Sequence, residues 1–278
     1  MKLCRLLVTC IGLLIAYPAG IAAQTLTHYV KYEVAGRVAW GLLEGETIRE
    51  LQGNVFDGAT PSGRTVKLAE VKLLPPAEAK KVIAAGLNYR SHIGEQSPAK
   101  YVGLFAKMPT SLVGHNADII YPADATTVHY EAEVCIVIGK RARNIAEAAV
   151  KDHIFGVVPC NDVSERGWQK ADLQWFRAKA SDTFGPIGPA VVRGTDYNHL
   201  SLIGRHNGKV VQESTTDLLI FSIDNVVSYV SRYVTLEPGD VIFTGTPGTT
   251  QAMKPGDTFE VEIKGVGVLR NSVVAERR

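Results

Sequence analysis

The run VCIVIG, Val134 to Gly139, is apolar on both faces of a strand, which argues for a central strand and against an edge. Two acids stand at its mouth. In VHYEAEVCIVIG, residues 128 to 139, Glu131 and Glu133 lie two positions apart and project to one face, while Ala132 and Val134 project to the other. Two like charges that close repel unless something neutralises them. By itself such a pair reads as a solvent-facing edge paired with lysines, but the apolar run behind it opposes that reading. A shared divalent cation resolves the repulsion, and oxygen ligands favour magnesium, manganese or calcium over zinc. FGVVPCNDVSERG, residues 155 to 167, reads as a second buried strand and ends in a third acid, Asp162. Three carboxylates from two strand ends leave room for water and substrate, which suits magnesium.

The first 23 residues, MKLCRLLVTCIGLLIAYPAGIAA, open with Lys2 and Arg5, run apolar to Tyr17 and close on small residues. That is the layout of a secretory signal peptide. Residues 6 to 23 carry no charge, so an uncleaved anchor is the alternative, at the short end of the roughly 17 to 25 residues a membrane helix needs. The expectation is an exported, periplasmic protein with no membrane span once the signal is cleaved. Lys2 and Arg5 are its only charges, so cleavage reduces the 30 basic residues to 28, against 28 acidic ones. A neutral chain lacks the basic stripe of a nucleic-acid binder, and a small molecule is the expected partner. Cys4 and Cys10 leave with the signal. Cys135 and Cys160 remain and read as buried small hydrophobes, with a disulfide as the alternative.

Residues 24–76 read as a small N-terminal β domain and residues 77–278 as a larger one. KYEVAGRVAWGLLEGETIREL, residues 31 to 51, alternates as a three-stranded meander and passes into the turn-rich GNVFDGATPSG and the boundary pair Pro75-Pro76. Further strands are expected near 81–87, 103–107, 127–139, 154–162, 188–193, 201–206, 209–213, 240–244, 257–263 and 266–275. Asn207-Gly208 is a strong hairpin signal, and Pro238-Gly239 and Pro255-Gly256 each precede an Asp that opens a strand. Helices are few. Ile223, Val226, Val227 and Val230 share a helical face, and Asn144 to Asp152 offers a shorter helix with Asn144 as N-cap. The pattern is strand-dominated α+β and lacks the alternation of a doubly wound sheet.

Seven blocks in this order resemble the fumarylacetoacetate hydrolase family, in its smaller members with a short N-terminal domain. They are GLNYRSHIGE (86–95), FAKMPTSLVG (105–114), YEAEVCIVIGK (130–140), NDVSERGWQ (161–169), RAKASDTFGPIGP (177–189), VVQESTTDLLIFSI (210–223) and LEPGDVIFTGTPG (236–248). The resemblance implies a β-sandwich roll of the fumarylacetoacetase C-terminal type, with Glu131, Glu133 and Asp162 as ligands of magnesium or manganese. It implies that Glu95 orients His92, and that His92 deprotonates a water. Their three-residue spacing would put both on one face of a short helical turn. By the same resemblance Lys179 neutralises substrate charge, and Tyr89, Lys107, Gln212 and Thr246 line the pocket. His129 precedes Glu131 by two and so shares its face, but it is not expected to touch the metal.

The implied activity is hydrolytic C–C cleavage of an acylpyruvate-like 2-oxo acid, with the metal as Lewis acid for the departing enolate. Isomerisation of hydroxydienedioates, decarboxylation of oxaloacetate-like acids, ureidoglycolate lyase action and non-catalytic binding are the alternatives. A homodimer is also implied. The chain departs from the family after TGTP, where a variable residue and then Gly-Val are usual: here Gly248 is followed by Thr249 and Thr250.

Overall fold

Residues 25–277 are described by the structure, a computed structural model; the expected signal sequence, with Cys4 and Cys10, lies outside the described residues. Alternating apolar and polar residues build β1 (Thr27–Val34), β2 (Arg37–Glu44) and β3 (Thr47–Gln52) as an antiparallel meander. Ala35 and Gly36 both take positive φ, 48° and 73°, as a two-residue hairpin turn requires. A fourth strand, β4 (Thr60–Lys67), pairs with β3 where the sequence suggested only turns. It is largely exposed and carries Pro61, which an outer strand tolerates because one row of its N–H groups faces water.

β5 (Lys72–Leu74) returns to β1, and β6 (Val82–Gly86) opens the larger part of the chain. After α1 (Arg90–Ile93) come β7 (Gly103–Lys107), β8 (Leu112–Val113), β9 (Asp118–Tyr121) and β10 (Val128–His129). β11 (Ala132–Ile138) and β12 (Ile154–Asn161) then pair antiparallel, and every residue of β11 is buried. β13 (Ser164–Glu165), α2 (Arg166–Ala171), α3 (Phe176–Ala180), β14 (Gly185–Pro186) and β15 (Val191–Arg193) follow. The chain closes with β16 (Ser201–His206), β17 (Lys209–Thr215), α4 (Ile223–Tyr233), β18 (Val241–Phe243), β19 (Thr258–Ile263) and β20 (Gly267–Ala275).

These strands form an 11-stranded mixed sheet, ordered β4-β3-β2-β1-β15-β12-β11-β18-β6-β7 with β5 on β1, and a five-stranded sheet, β17-β16-β19-β20-β9. The architecture is strand-dominated α+β. Because β1 pairs with β15, the N-terminal meander shares the large sheet with the rest of the chain and does not form a sheet of its own. The five-stranded sheet packs on β11 and β12. Ala132, Val134, Ile136 and Ile138 meet Leu202, Phe259 and Val261 there, while Cys135, Val137, Val158 and Cys160 face Phe243 in a second apolar cluster. β11 is therefore covered on both faces, as its composition required.

Two expectations need correction. Cys135 and Cys160 are buried, but they are joined by a disulfide with Cα atoms 5.9 Å apart. The register explains it: Cys135 lies opposite Val158 and Glu133 opposite Cys160, so the thiols meet diagonally across two paired strands. The helix expected from Asn144 is a 3-10 helix over Glu147–Asp152, capped by Ala146. Asn144 takes φ 53° and donates its N–H to the Ser231 carbonyl, so its backbone ties this segment to the end of α4 and cannot start a helix. α4 itself forms as its pattern predicts, with the Ser222 side chain capping the Asn225 N–H.

Candidate metal centre

Glu131 immediately precedes β11, Glu133 is its second residue, and Asp162 follows the last residue of β12. Antiparallel pairing sets these strand ends side by side. Asp162 donates its backbone N–H to the Glu131 carbonyl at 2.9 Å, and the Asn161 side-chain oxygen accepts the Glu131 N–H at 2.8 Å. One carboxylate oxygen from each acid lies within 4.8 Å of the others, and all three acids are buried, at 4, 2 and 1 % exposure.

Three cations close around them. Lys179 Nζ bridges Glu131 Oε2 at 2.7 Å and Asp162 Oδ2 at 2.6 Å. Lys107 Nζ lies 2.7 Å from Asp162 Oδ1, and Arg166 Nη2 lies 2.5 Å from Glu131 Oε1. Glu133 accepts only the Gly245 N–H, at 2.8 Å, and has no ion pair among the described residues. Gly245 holds φ 115° against Asn88, whose Cβ would stand 2.7 Å from an added Cβ, so only glycine brings that N–H to the acid.

Charge follows this geometry. Burial alone would raise the Glu131 carboxyl, but the charges of Lys179 and Arg166 hold it well below the usual carboxylate range. Burial also raises Glu133, and the neighbouring Asp162 and Glu131 push it further up. Burial lowers Lys107 despite Asp162. For Lys179 burial works the same way, but Asp162 and Glu131 outweigh it and the ammonium stays charged. An oxygen-only, buried, closely spaced donor set with one carboxyl lacking a cation fits a hard divalent ion. Asn161 Nδ2 is buried beside this set with no hydrogen-bond partner, a donor left for a bound water or ligand oxygen.

Glu131 and Glu133 open into a cleft of about 400 Å³, walled by Phe105 and Trp175 on one side and by Arg166, Gln169, Thr246 and Thr249 elsewhere, while Asp162 stands behind them. His92 and Lys179 face it too. The Gly248 carbonyl can only accept, so the 2.6 Å contact of His92 Nδ1 places the imidazole proton on Nδ1 and leaves the Nε2 lone pair available. Gly248 N–H in turn donates to Ser91 Oγ at 3.0 Å.

Several expected site residues sit elsewhere. The helical turn carrying His92 stops at Ile93, Gly94 takes φ 59°, and Glu95 is exposed beyond it. His92 therefore shares no helical face with Glu95 and bonds to Gly248 instead. Tyr89 is buried and donates its hydroxyl to the Thr215 carbonyl. Gln212 stands behind the cleft loop, its amide oxygen accepting from Ala132 N–H and its nitrogen donating to Thr246 Oγ1 and the Pro247 carbonyl. Lys107 lies behind Asp162 and also donates to the Lys179 carbonyl. None of Tyr89, Lys107 and Gln212 lines the cleft; Thr246 and Lys179 do. Arg166 was not foreseen. It belongs to the NDVSERGWQ block, four residues after Asp162, where its charge beside a ligand was the available signal. His129 Nδ1 lies 2.9 Å from Thr250 Oγ1.

Comparison with known proteins gives two family matches: "Fumarylacetoacetate (FAA) hydrolase C-terminal" over residues 81–274 and "Rv2993c-like, N-terminal" over residues 27–76. The mitochondrial oxaloacetate tautomerase of Rattus norvegicus is 38% identical over 73% of this chain and 69% of its own length. The crystal structure of 2-hydroxyhepta-2,4-diene-1,7-dioate isomerase from Mycobacterium marinum is similar with TM-score 0.84 and 38% identity, covering 91% of this chain and 100% of that one. A maleylpyruvate hydrolase from Sphingobium sp. SYK-6, in complex with manganese (II) ion and pyruvate, is similar with TM-score 0.75 and 27% identity over 90% of this chain and 100% of that one.

Proposed function

We propose, since this chain belongs to the fumarylacetoacetate hydrolase family, that it is a divalent-metal-dependent enzyme cleaving a carbon–carbon bond in an acylpyruvate-like 2-oxo acid. The observation that carries the reading is the buried cluster of Glu131, Glu133 and Asp162, two of whose acids, Glu131 and Glu133, line a cleft that also holds His92. These three acids would hold magnesium or manganese. The ion supplies Lewis acidity toward the carboxylate and neighbouring oxo oxygen of the substrate. Charge balance supports an anionic substrate: three acids face three cations, so a divalent ion leaves the cleft positive and a substrate carboxylate offsets it.

The residues of the chain divide the remaining work. His92 Nε2 takes a proton from water, and the hydroxide adds to the distal carbonyl of the acyl group. As the bond to the 2-oxo acid fragment breaks, the Lys179 ammonium faces the negative charge that develops on oxygen. Phe105 and Trp175 exclude water from one wall. Tyr89, Gln212 and Lys107 support this arrangement from behind: Gln212 sets Thr246, and Lys107 holds Asp162. A cleft of about 400 Å³ has room for an acyl group beyond a four-carbon acid. Purified, folded His92→Ala should lose about 10²- to 10⁴-fold in kcat on acylpyruvates, and Glu131→Ala should lose metal binding with it. Parent-like turnover by either variant would contradict the assignment.

One observation favours a second reading. Glu95 is exposed and apart from His92, and isomerisation or tautomerisation of a 2-oxo acid needs only a proton carrier beside the Lewis acid. Product analysis separates the two, because hydrolysis yields two acids from one substrate molecule and isomerisation yields a single product of unchanged mass. The proposal also includes export. A buried disulfide forms in oxidising compartments, which agrees with the signal expected over residues 1–23. A homodimer, the usual assembly of the family, is the expected outcome of light scattering.

A further inference from the structure

Thr250 stands where the family pattern has valine, and its hydroxyl is engaged at both ends. Oγ1 accepts from Arg166 Nη2 at 2.8 Å, which leaves the Thr250 proton free for His129 Nδ1, 2.9 Å away. The same Nη2 donates to Glu131 Oε1, and Arg166 Nη1 donates to Gln169 Oε1 at 2.7 Å. The guanidinium is thus held by three side chains. Its backbone is fixed as well. Arg166 N–H donates to the Thr127 carbonyl at 2.9 Å, and the preceding Glu165 caps α2 while binding the N–H groups of Thr126 and Thr127. Arg166 therefore has little freedom in its root or its tip, and the tip rests on one oxygen of an acid in the ligand cluster.

We propose that Thr250 is a positioning residue that holds Arg166 on Glu131 Oε1 and so commits Glu131 Oε2 to the divalent cation. The inference rests on the metal reading above and deepens it. Of the two Glu131 oxygens, Oε1 carries the fixed guanidinium, and Oε2 accepts at 2.7 Å from the Lys179 ammonium that also reaches Asp162 Oδ2, so Oε2 is the oxygen turned toward the other acids. A carboxylate free to turn would present either oxygen and lose rotamer entropy on binding; one pinned at Oε1 has already lost it. The β-branched shape of threonine serves the loop, and its hydroxyl serves the arginine, so Thr250→Val removes the second function and keeps the first.

The test is manganese binding by the purified full chain, followed by titration calorimetry without substrate. Thr250→Val should weaken the manganese Kd by about tenfold or more, within the range seen when a residue behind a metal ligand is removed. Thr250→Ser, which restores the hydroxyl, should return it to within about twofold of the parent. Arg166→Lys keeps the charge without the fork and should weaken binding as Thr250→Val does, which keeps the proposal testable if the valine variant does not fold. Parent-like affinity in folded Thr250→Val, or no rescue by Thr250→Ser, overturns the role of Thr250 alone. Absence of manganese binding by the parent overturns the metal reading and this inference together.

Discussion

At the scale of single residues, a polar side chain serves the site according to which side of a loop it occupies. Tyr89 and Thr246 both belong to the family's pocket motifs, yet Tyr89 is buried against Thr215 and Thr246 faces the cleft. Tyr89→Phe should therefore leave KM unchanged and cost about 0.5–1.5 kcal/mol of stability, the worth of one hydrogen bond, read by urea denaturation. A raised KM would return Tyr89 to the pocket. The acids were legible as a close pair at the mouth of a buried strand, although the strand expected over 127–139 breaks at Tyr130 and Glu131, and only Glu133 lies within β11. Arg166 and Thr250 were not, since their contact spans 84 residues and no local pattern encodes it. Likewise the exposed position of Glu95 depends on Gly94 ending the turn, which three-residue spacing does not reveal.

At the scale of elements, the long strands and α4 were legible and the connecting pieces were not. β11, β12 and the β16–β17 hairpin at Asn207-Gly208 carry their own signal in composition and turn chemistry. β4 lacks one because an exposed outer strand need not alternate, and the two-residue strands exist only through their partners. The disulfide needs the β11–β12 register, which composition does not supply. It closes a 25-residue separation, so replacing both cysteines with alanine should cost about 3–4 kcal/mol. That corresponds to a fall in Tm of roughly 10 °C in a chain of this size.

The meander has its own acid-sensitive element. Burial would raise the Glu50 carboxyl, but hydrogen bonds from Arg37, Arg64 and Tyr32 bring it down to about 2. A carboxyl depressed on folding adds stability that is fully present above its unfolded value of about 4.3 and is lost as pH falls toward the folded value. Parent stability should thus drop between about pH 4 and pH 2 more steeply than that of Glu50→Gln; equal slopes in denaturant titrations would contradict this.

At the scale of the whole molecule, the fold brings two strand ends, two short helices and the 246–250 loop to one cleft. The large sheet supplies the rigid floor: β11 is clamped between two apolar layers, so Glu133 and the adjoining Glu131 are held where their repulsion must be balanced. Lysine and arginine neutralise Glu131 and Asp162 in the protein alone, Glu133 is left without a cation among the described residues, and a divalent cation would complete the balance with an anionic substrate. Composition already pointed to a small-molecule site, because 30 basic residues stand against 28 acidic ones and the formal net charge is only +2. The most direct test of this account is turnover against a panel of acylpyruvates and other 2-oxo acids with manganese present, repeated after chelation and after manganese is restored. The account predicts turnover of at least one 2-oxo acid that disappears with the chelator and returns with the metal. Turnover that survives full removal of divalent cations would contradict it.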